Sequence, residues 1–485
     1  MKKIGACIWL AAIVSAVSAQ TNAPAVHPLS LQDCITAALQ HNFDVRIERF
    51  EPLISQFNLD AAYGGYDPSL ILSTSHNHNN PGGPWSTNEI AEYNSFDSNL
   101  KGTLPSGATY SLAGNVNDSY TPQPESAGGQ VGLTVTQPLL QNLWIDSTRL
   151  AISVDKSKLK FSEQGLRSQL ITSISAVENA YYELIYAREN LEVDKQALDL
   201  AQTQLDQDRQ RVEVGSLAPL DVQQDEAQVA QSRANLIAAQ YTLAADQNAL
   251  KNLITDNYLQ WHDQDIMPTE TLAAVRQLFD LQDSWSKGMA SRPDLLQSKL
   301  TLEQQGFQLK YDFNQIFPQL DLIGSYGVNG AGSGYSDTFN QYEAGNRPFY
   351  SYGAQVTMPL SNVSARSAYK ADKAAEQQDL LKLKQLEQNI MVEIDNAVKN
   401  AQSAWESVDA SKQARIYAEA ALDAEQKKYA VGKSTTFTVL QLQNSLTSAR
   451  SSEIRDLANY QEALTTLAQQ EGSTLERRKV DVTLK

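Results

Sequence analysis

Residues 209–233 read RQRVEVGSLAPLDVQQDEAQVAQSR, and residues 426–450 read QKKYAVGKSTTFTVLQLQNSLTSAR. Each stretch has a basic residue (Arg211, Lys428), then Val-Gly (Val214-Gly215, Val431-Gly432), then Val (Val222, Val439), then Arg (Arg233, Arg450). Every pair is 217 positions apart. The register extends outward: Asn179-Ala180 matches Asn396-Ala397, and Leu205 matches Leu422. Upstream, VTQPL from Val135 matches VTMPL from Val356 at an offset of 221, and Asp44 and Pro68 match Asp294 and Pro318 at 250. The chain therefore contains two copies of one unit in the same order, too long for a small solenoid repeat.

The changes of offset are informative. A shift of four residues is about one helical turn, which leaves the buried face of a helix unchanged. A shift of 29, confined between Pro68 and Pro138, is an insertion in the first copy. The inserted stretch contains FDSNLKGTLPSGATYSLAGNV, in which Pro105-Ser106-Gly107 reads as a tight turn. The sequence predicts an extra hairpin over 93–118 and leaves open whether it enters the wall of a barrel.

Residues 150–213 have Gly165 as their only Gly and are rich in Ala, Gln, Leu, Lys and Glu, the composition of one long helix. About 60 residues would span on the order of 90 Å. Gly215 ends this helix, and Pro219 sits where the first turn of the next tolerates it. Along that next helix Val222, Val229, Leu236, Leu243 and Leu250 recur every seven residues. The second copy has Val439, Leu446, Glu453, Tyr460 and Leu467. This is a coiled-coil period, and stripes so narrow must pack against one another and against other chains.

Between the helices lie short alternating runs. Leu320, Leu322, Gly324, Tyr326 and Val328 alternate with Asp321, Ile323, Ser325, Gly327 and Asn329, and similar runs hold Leu70, Val131 and Tyr350. One face is apolar and aromatic, the other small and polar, the pattern of membrane strands around a polar lumen. The intervening segments, such as NGAGSGYSDTFNQYEAGNRP, read as long polar loops. Four core strands per chain are too few to close a barrel, whereas three copies supply twelve.

The opening MKKIGACIWLAAIVSAVSAQ has a charged start, an apolar core and a small-residue site ending at Ala19, the pattern of a secretory signal over 1–19. Without Lys2 and Lys3 the formal net charge moves from −17 to −19. Such acidity excludes nucleic-acid binding, which needs clustered Lys and Arg. Cys34 is then the single cysteine, at an apolar helical position, and reads as core. His76 and His78 lack a third placed ligand, so no metal is expected. No phosphate loop, nucleophile elbow or zinc motif is present; no catalytic residue and no cofactor are expected.

Several motifs together carry a resemblance: SLQDCITAALQHNFDV (30–45), Arg292-Pro293-Asp294-Leu295, Thr136-Gln137-Pro138-Leu139, Thr357-Met358-Pro359-Leu360 and the two Val-Gly turns. In their order and duplication the chain resembles the TolC family of outer-membrane efflux proteins. The resemblance implies an α+β membrane protein, internally duplicated and trimeric, with an outer-membrane β-barrel and a long periplasmic α-helical coiled-coil tunnel. It implies a first repeat over 20–256 (strands about 68–138, helical hairpin 150–254) and a second over 292–472 (strands about 319–360, hairpin 363–472). An equatorial linker between them, 257–291, would join the N- and C-terminal segments in a belt around the tunnel, and a flexible tail, 473–485, would follow the second repeat.

It further implies an exit duct working with a periplasmic adaptor (membrane fusion) protein and an inner-membrane transporter. Val214, Gly215, Val431 and Gly432 would form adaptor-docking turns. The family's acidic entrance positions fall on Thr438 and Gln441 here, a departure from the family pattern. Asp221 and Asp225, four apart on one helix face, are expected to supply the acidic entrance instead. Tyr429 would join a hydrogen-bond network in the closed state. The competing reading is a periplasmic coiled-coil or adaptor-like protein that never enters a membrane; it has no use for the alternating segments.

Overall fold

The computed structural model describes residues 26–79, 91–120 and 126–480. The expected signal at 1–19 lies outside them. The chain begins with β1 (Val26–Leu29), α1 (Leu31–His41), α2 (Phe43–Glu48) and α3 (Phe50–Tyr63), then strands β2 (Ser69–Asn79), β3 (Ala91–Thr103), β4 (Thr109–Tyr120) and β5 (Ser126–Pro138). The first long hairpin is α4 (Ser147–Glu213) and α5 (Pro219–Ile254). The segment joining the repeats carries α6 (Tyr258–Trp261), β6 (Asp265–Pro268) and α7 (Leu281–Ser291). The second repeat has α8 (Pro293–Gln315), β7 (Gln319–Gly332), α9 (Tyr335–Ala344) and β8 (Pro348–Thr357). It continues with the hairpin α10 (Val363–Ala430) and α11 (Thr436–Glu471), and ends in α12 (Thr474–Arg477). No helix among the described residues is long and apolar enough to cross a membrane.

Contacts divide the chain into two compact units, each drawing on both repeats. One holds 1–42, 177–274 and 408–461; the other holds 43–176, 275–407 and 462–485. In the first of these α4 meets α10 through Asp208 and Tyr429, and α5 meets α11 through Gln228 and Asn444, so compactness does not follow the repeat boundary.

In the first unit β1 pairs with β6 in parallel. Ser30 caps α1 by accepting from the Asp33 amide at 3.1 Å, while the Ser30 amide returns a bond to the Asp33 carboxylate. The buried Tyr181 hydroxyl donates to Leu29 O at 3.0 Å and meets the Glu270 carboxylate. Arg188 bonds to Asp265 and to Ile266 O. Cys34 is fully buried, and burial pushes its thiol up to about 12, which suits a core residue.

In the second unit the helical core is Leu295, Ile390, Ile394, Ala397, Val398 and Leu467. Arg292, from the RPDL motif, holds Asp294 at 2.7 Å and Glu393 at 2.6 Å and reaches the Gln470 side chain at 2.9 Å. Asp294 is thereby held below the usual carboxylate range against the opposing effect of burial. Thus the motif carried by the resemblance is an ion-pair knot tying α8 to α10 and α11.

Six strands among the described residues form one antiparallel sheet in the order β2-β3-β4-β5-β7-β8. The extra hairpin is part of it: β3 and β4 lie between β2 and β5. Its turn depends on Gly107, at φ +84°, whose amide bonds to Leu104 O at 2.8 Å. A sheet with one exposed apolar face has no place in the periplasmic scaffold reading.

Three expectations need correction. The segment 329–348 is not all loop, because β7 runs to Gly332 and α9 follows, its Tyr342 hydroxyl bonded to Asn115 O at 2.8 Å. The tail is not loose from 473: Thr474 and Leu475 are buried in α12, and Arg477 bonds to Leu464 O at 3.1 Å. The two heptad stripes also differ. Val439, Leu446, Tyr460 and Leu467 are buried, whereas of the first stripe only Leu250 is. In one chain α11 has partners for its stripe that α5 lacks.

Candidate functional site

The two turns noted in the sequence have the same geometry. After α4, Gly215 takes φ +73°, its amide bonds to Val212 O at 3.0 Å, and the Ser216 amide bonds to Arg211 O at 2.8 Å. After α10, Gly432 takes φ +72°, its amide bonds to Tyr429 O at 3.0 Å, and the Lys433 amide bonds to Lys428 O at 2.9 Å. Both are Schellman caps, which satisfy the last carbonyls of a helix and need a left-handed residue. A Cβ at either glycine would meet nothing within 4 Å, so backbone conformation demands Gly here, not space. Val214 and Val431 are 78% and 68% exposed, so each turn presents an apolar side chain to solvent.

Behind the turns lies a buried polar cluster drawn from four helices. The Tyr429 hydroxyl of α10 lies 2.8 Å from both carboxylate oxygens of Asp208 in α4. Gln204, one turn earlier in α4, donates to Asp208 at 2.8 Å. Thr436, the first residue of α11, lies 3.3 Å from Asp208 and 2.9 Å from the Tyr429 hydroxyl. The Arg211 guanidinium stands 4.4 Å over the Tyr429 ring and 3.7 Å from Asp208. Burial pushes the Tyr429 phenol above its ordinary value.

The fourth helix contributes Asp225 of α5. Its side chain is fully buried, and neither carboxylate oxygen has a hydrogen-bond donor. Burial first, then the charge of Asp208, pushes its carboxyl up to about 7. A protonated Asp225 can donate to Asp208, which gives Asp225 the partner it otherwise lacks; an ionised one would be an acceptor facing another acceptor.

Asp221 and Asp225 therefore do not share an exposed face. Asp221 is half-buried near the start of α5, and Asp225, one turn further along, is fully buried beside Asp208, where α5 packs against α4. Thr438 is half-buried with its hydroxyl 3.0 Å from Thr435, and Gln441 is exposed. Gln441 lines an open groove of about 1020 Å³ with Gln224, Gln228, Phe437 and Asn444. Gln228 and Asn444 close a reciprocal amide pair, at 2.7 and 3.1 Å, between α5 and α11.

Asp208, Gln204, Arg211 and Thr436 were missed as site residues. A signal existed: Asp208 and Arg211 correspond, 217 residues on, to Glu425 and Lys428, an acid and a base three apart before each turn. Lys428 bonds to Glu425 at 2.8 Å, and Glu425 also accepts from Ser434 at 2.6 Å. The sequence does not show that the acid of the first copy is fully buried while that of the second is half-buried and paired with Lys428.

Known proteins bear on this arrangement. The family model described as outer membrane efflux protein matches residues 91–255 and 286–473. Outer membrane protein TolC of Escherichia coli (strain K12) is 24% identical over 387 residues, 75% of this chain and 74% of that protein. The crystal structure of the Campylobacter jejuni CmeC outer membrane channel superposes with a TM-score of 0.69 at 16% identity, covering 92% of this chain and 86% of that one. The outer membrane protein VceC of Vibrio cholerae gives 0.68 at 17% identity, covering 91% and 96%. These two share the fold. The family match spans well over half of the sequence, and the chain belongs to the outer membrane efflux protein family.

Proposed function

We propose that this chain is the outer-membrane exit duct of a three-part efflux or secretion system. Three copies would form a barrel in the outer membrane and a helical tunnel in the periplasm, joined to an inner-membrane transporter by a periplasmic adaptor. The observation that carries the reading is the combination of a sheet with one exposed apolar face and a pair of matching capped turns. The sheet suits membrane lipid. The turns, with exposed Val214 and Val431 beside positive-φ glycines, suit docking of an adaptor.

The segment 257–291 would belong to a belt around the tunnel, a role supported by its strand β6 pairing with β1. Asp221, Thr438 and Gln441 would line the entrance, and Tyr429 would hold it shut through Asp208. Asp225 serves the same latch from α5 rather than the aqueous path. No step here is chemical; the partner supplies the energy and this chain supplies an aqueous route.

The test is cell fractionation with gel mobility. Heat-modifiable trimers in the outer-membrane fraction are expected, and a soluble monomer in the periplasmic fraction would overturn the reading.

A further inference from the structure

The sheet has two edges, β2 and β8. Their outward backbone groups have no ladder partner among the described residues. Membrane hydrocarbon offers an unpaired backbone group no hydrogen-bond partner, so an open edge is not tolerated there. Six strands are also fewer than the roughly eight of the smallest membrane barrels. The sheet must therefore close through other copies of the chain. Direction permits this: five successive antiparallel pairings leave β2 and β8 running oppositely. Thus β8 of one copy can meet β2 of the next antiparallel, and the same join repeats around a ring.

The β3–β4 hairpin decides how many strands the ring has. Register links Leu70 to Leu100, Leu100 to Leu112, Leu112 to Leu133, Leu133 to Tyr326, and Tyr326 to Tyr350. One apolar or aromatic row thus crosses all six strands without a gap. On the opposite face Ser73, Asp97, Asn115, Gln130 and Asn329 form a polar row across five of the six strands. A one-residue slip anywhere would put leucines on the polar face. Were the hairpin an appendage outside the wall, nothing would keep its leucines in register with both neighbours.

We propose that the barrel wall has eighteen strands, six from each of three copies, with β3 and β4 as full lipid-facing members. The number three rests on the trimeric duct proposed above; the six per copy rests on the sheet. The second repeat contributes two strands and the first contributes four, so the 29-residue excess widens the barrel. Barrel diameter grows roughly linearly with strand number, so this wall is about half again as wide as one of twelve. At about eighteen strands a barrel holds an open aqueous channel.

Two measurements on the full chain test this. Single-particle imaging of trimers in lipid nanodiscs should count eighteen wall strands; twelve, with the hairpin outside the wall, overturns the proposal. Independently, single cysteines carrying a fluorophore can be placed on a Cys34→Ala background. Leu112→Cys in the hairpin and Tyr350→Cys in β8 should both lose emission to spin-labelled lipid, and Asn117→Cys should respond to aqueous iodide instead. If Tyr350→Cys is lipid-quenched but Leu112→Cys is not, the hairpin is not wall and the inference fails alone. If neither is, the membrane reading itself fails, and this inference with it.

Discussion

The Tyr429 hydroxyl sits 2.8 Å from each carboxylate oxygen of Asp208, 221 residues away in sequence. One phenol from the second repeat thereby anchors a buried charge from the first, just behind both turns. A hydrogen bond to a charged group contributes about 1.5–3 kcal/mol, and an unmet buried carboxylate costs at least as much. This contact ties α10 of the second hairpin to α4 of the first.

Tyr429→Phe removes that donor and leaves Asp208 with Gln204 and Thr436. Local packing should weaken by about 1.5–3 kcal/mol. Hydrogen exchange on purified trimers should show faster exchange in 205–215 and 425–438, with the strands unaffected. Unchanged protection in those segments would show that the phenol is not a latch.

Asp225 makes the same packing pH-dependent. Its carboxyl is raised to about 7, so the packed state binds a proton that a loosened state releases at the ordinary carboxylate value. The stabilisation is full below the ordinary value and declines as pH rises toward about 7, by up to about 1.4 kcal/mol per pH unit. Above that it is gone. Asp208 from α4 and Asp221 from α5 are the charged groups that face it, and Arg211 from α4, Tyr429 from α10 and the neutral Thr436 from α11 contact Asp208 in turn. Channel recordings between pH 5 and pH 8 should show more frequent opening at the alkaline end. Asp225→Asn, neutral at every pH and able to donate to Asp208, should flatten the profile. A profile that keeps its slope in this variant would point to another group.

Asp221 is the remaining acidic candidate at the entrance. Asp221→Asn should reduce cation preference in reversal-potential measurements, since three carboxylates set the local potential. Asp225→Asn should leave that preference unchanged, because its carboxylate is buried. The opposite ranking would place Asp225 in the aqueous path after all.

At the turns, Gly215→Ala and Gly432→Ala each force an L-residue to positive φ, at a cost of about 1–2 kcal/mol. Asparagine at the same positions should cost less, since it tolerates the left-handed region. Thermal melts of the trimer check the order. Equal losses for Ala and Asn would mean that the turn relaxes.

Much of this fold was legible because its information is local and repeated. The 217-residue register located both turns, and a glycine after a long Gly-poor helix named the cap. The site was less legible. Asp221 and Asp225 share a helix face by spacing, yet only the packing of α5 against α4 determines which carboxylate meets water. Asp208 looked like any exposed acid on a long helix until Tyr429 and Thr436 were brought to it.

The sequence by itself determined the duplication, the helix lengths, the paired glycine turns and the alternation of the strands. Each is a periodicity or a backbone constraint that neighbouring residues carry alone. Tertiary structure decided that Asp208, not Asp221, receives Tyr429, that Asp225 is buried beside it, and that β3 and β4 stand between β2 and β5. Those outcomes depend on which distant surfaces meet. Aligning one apolar row across six strands, and satisfying one carboxylate out of water, are choices that no short stretch of chain contains.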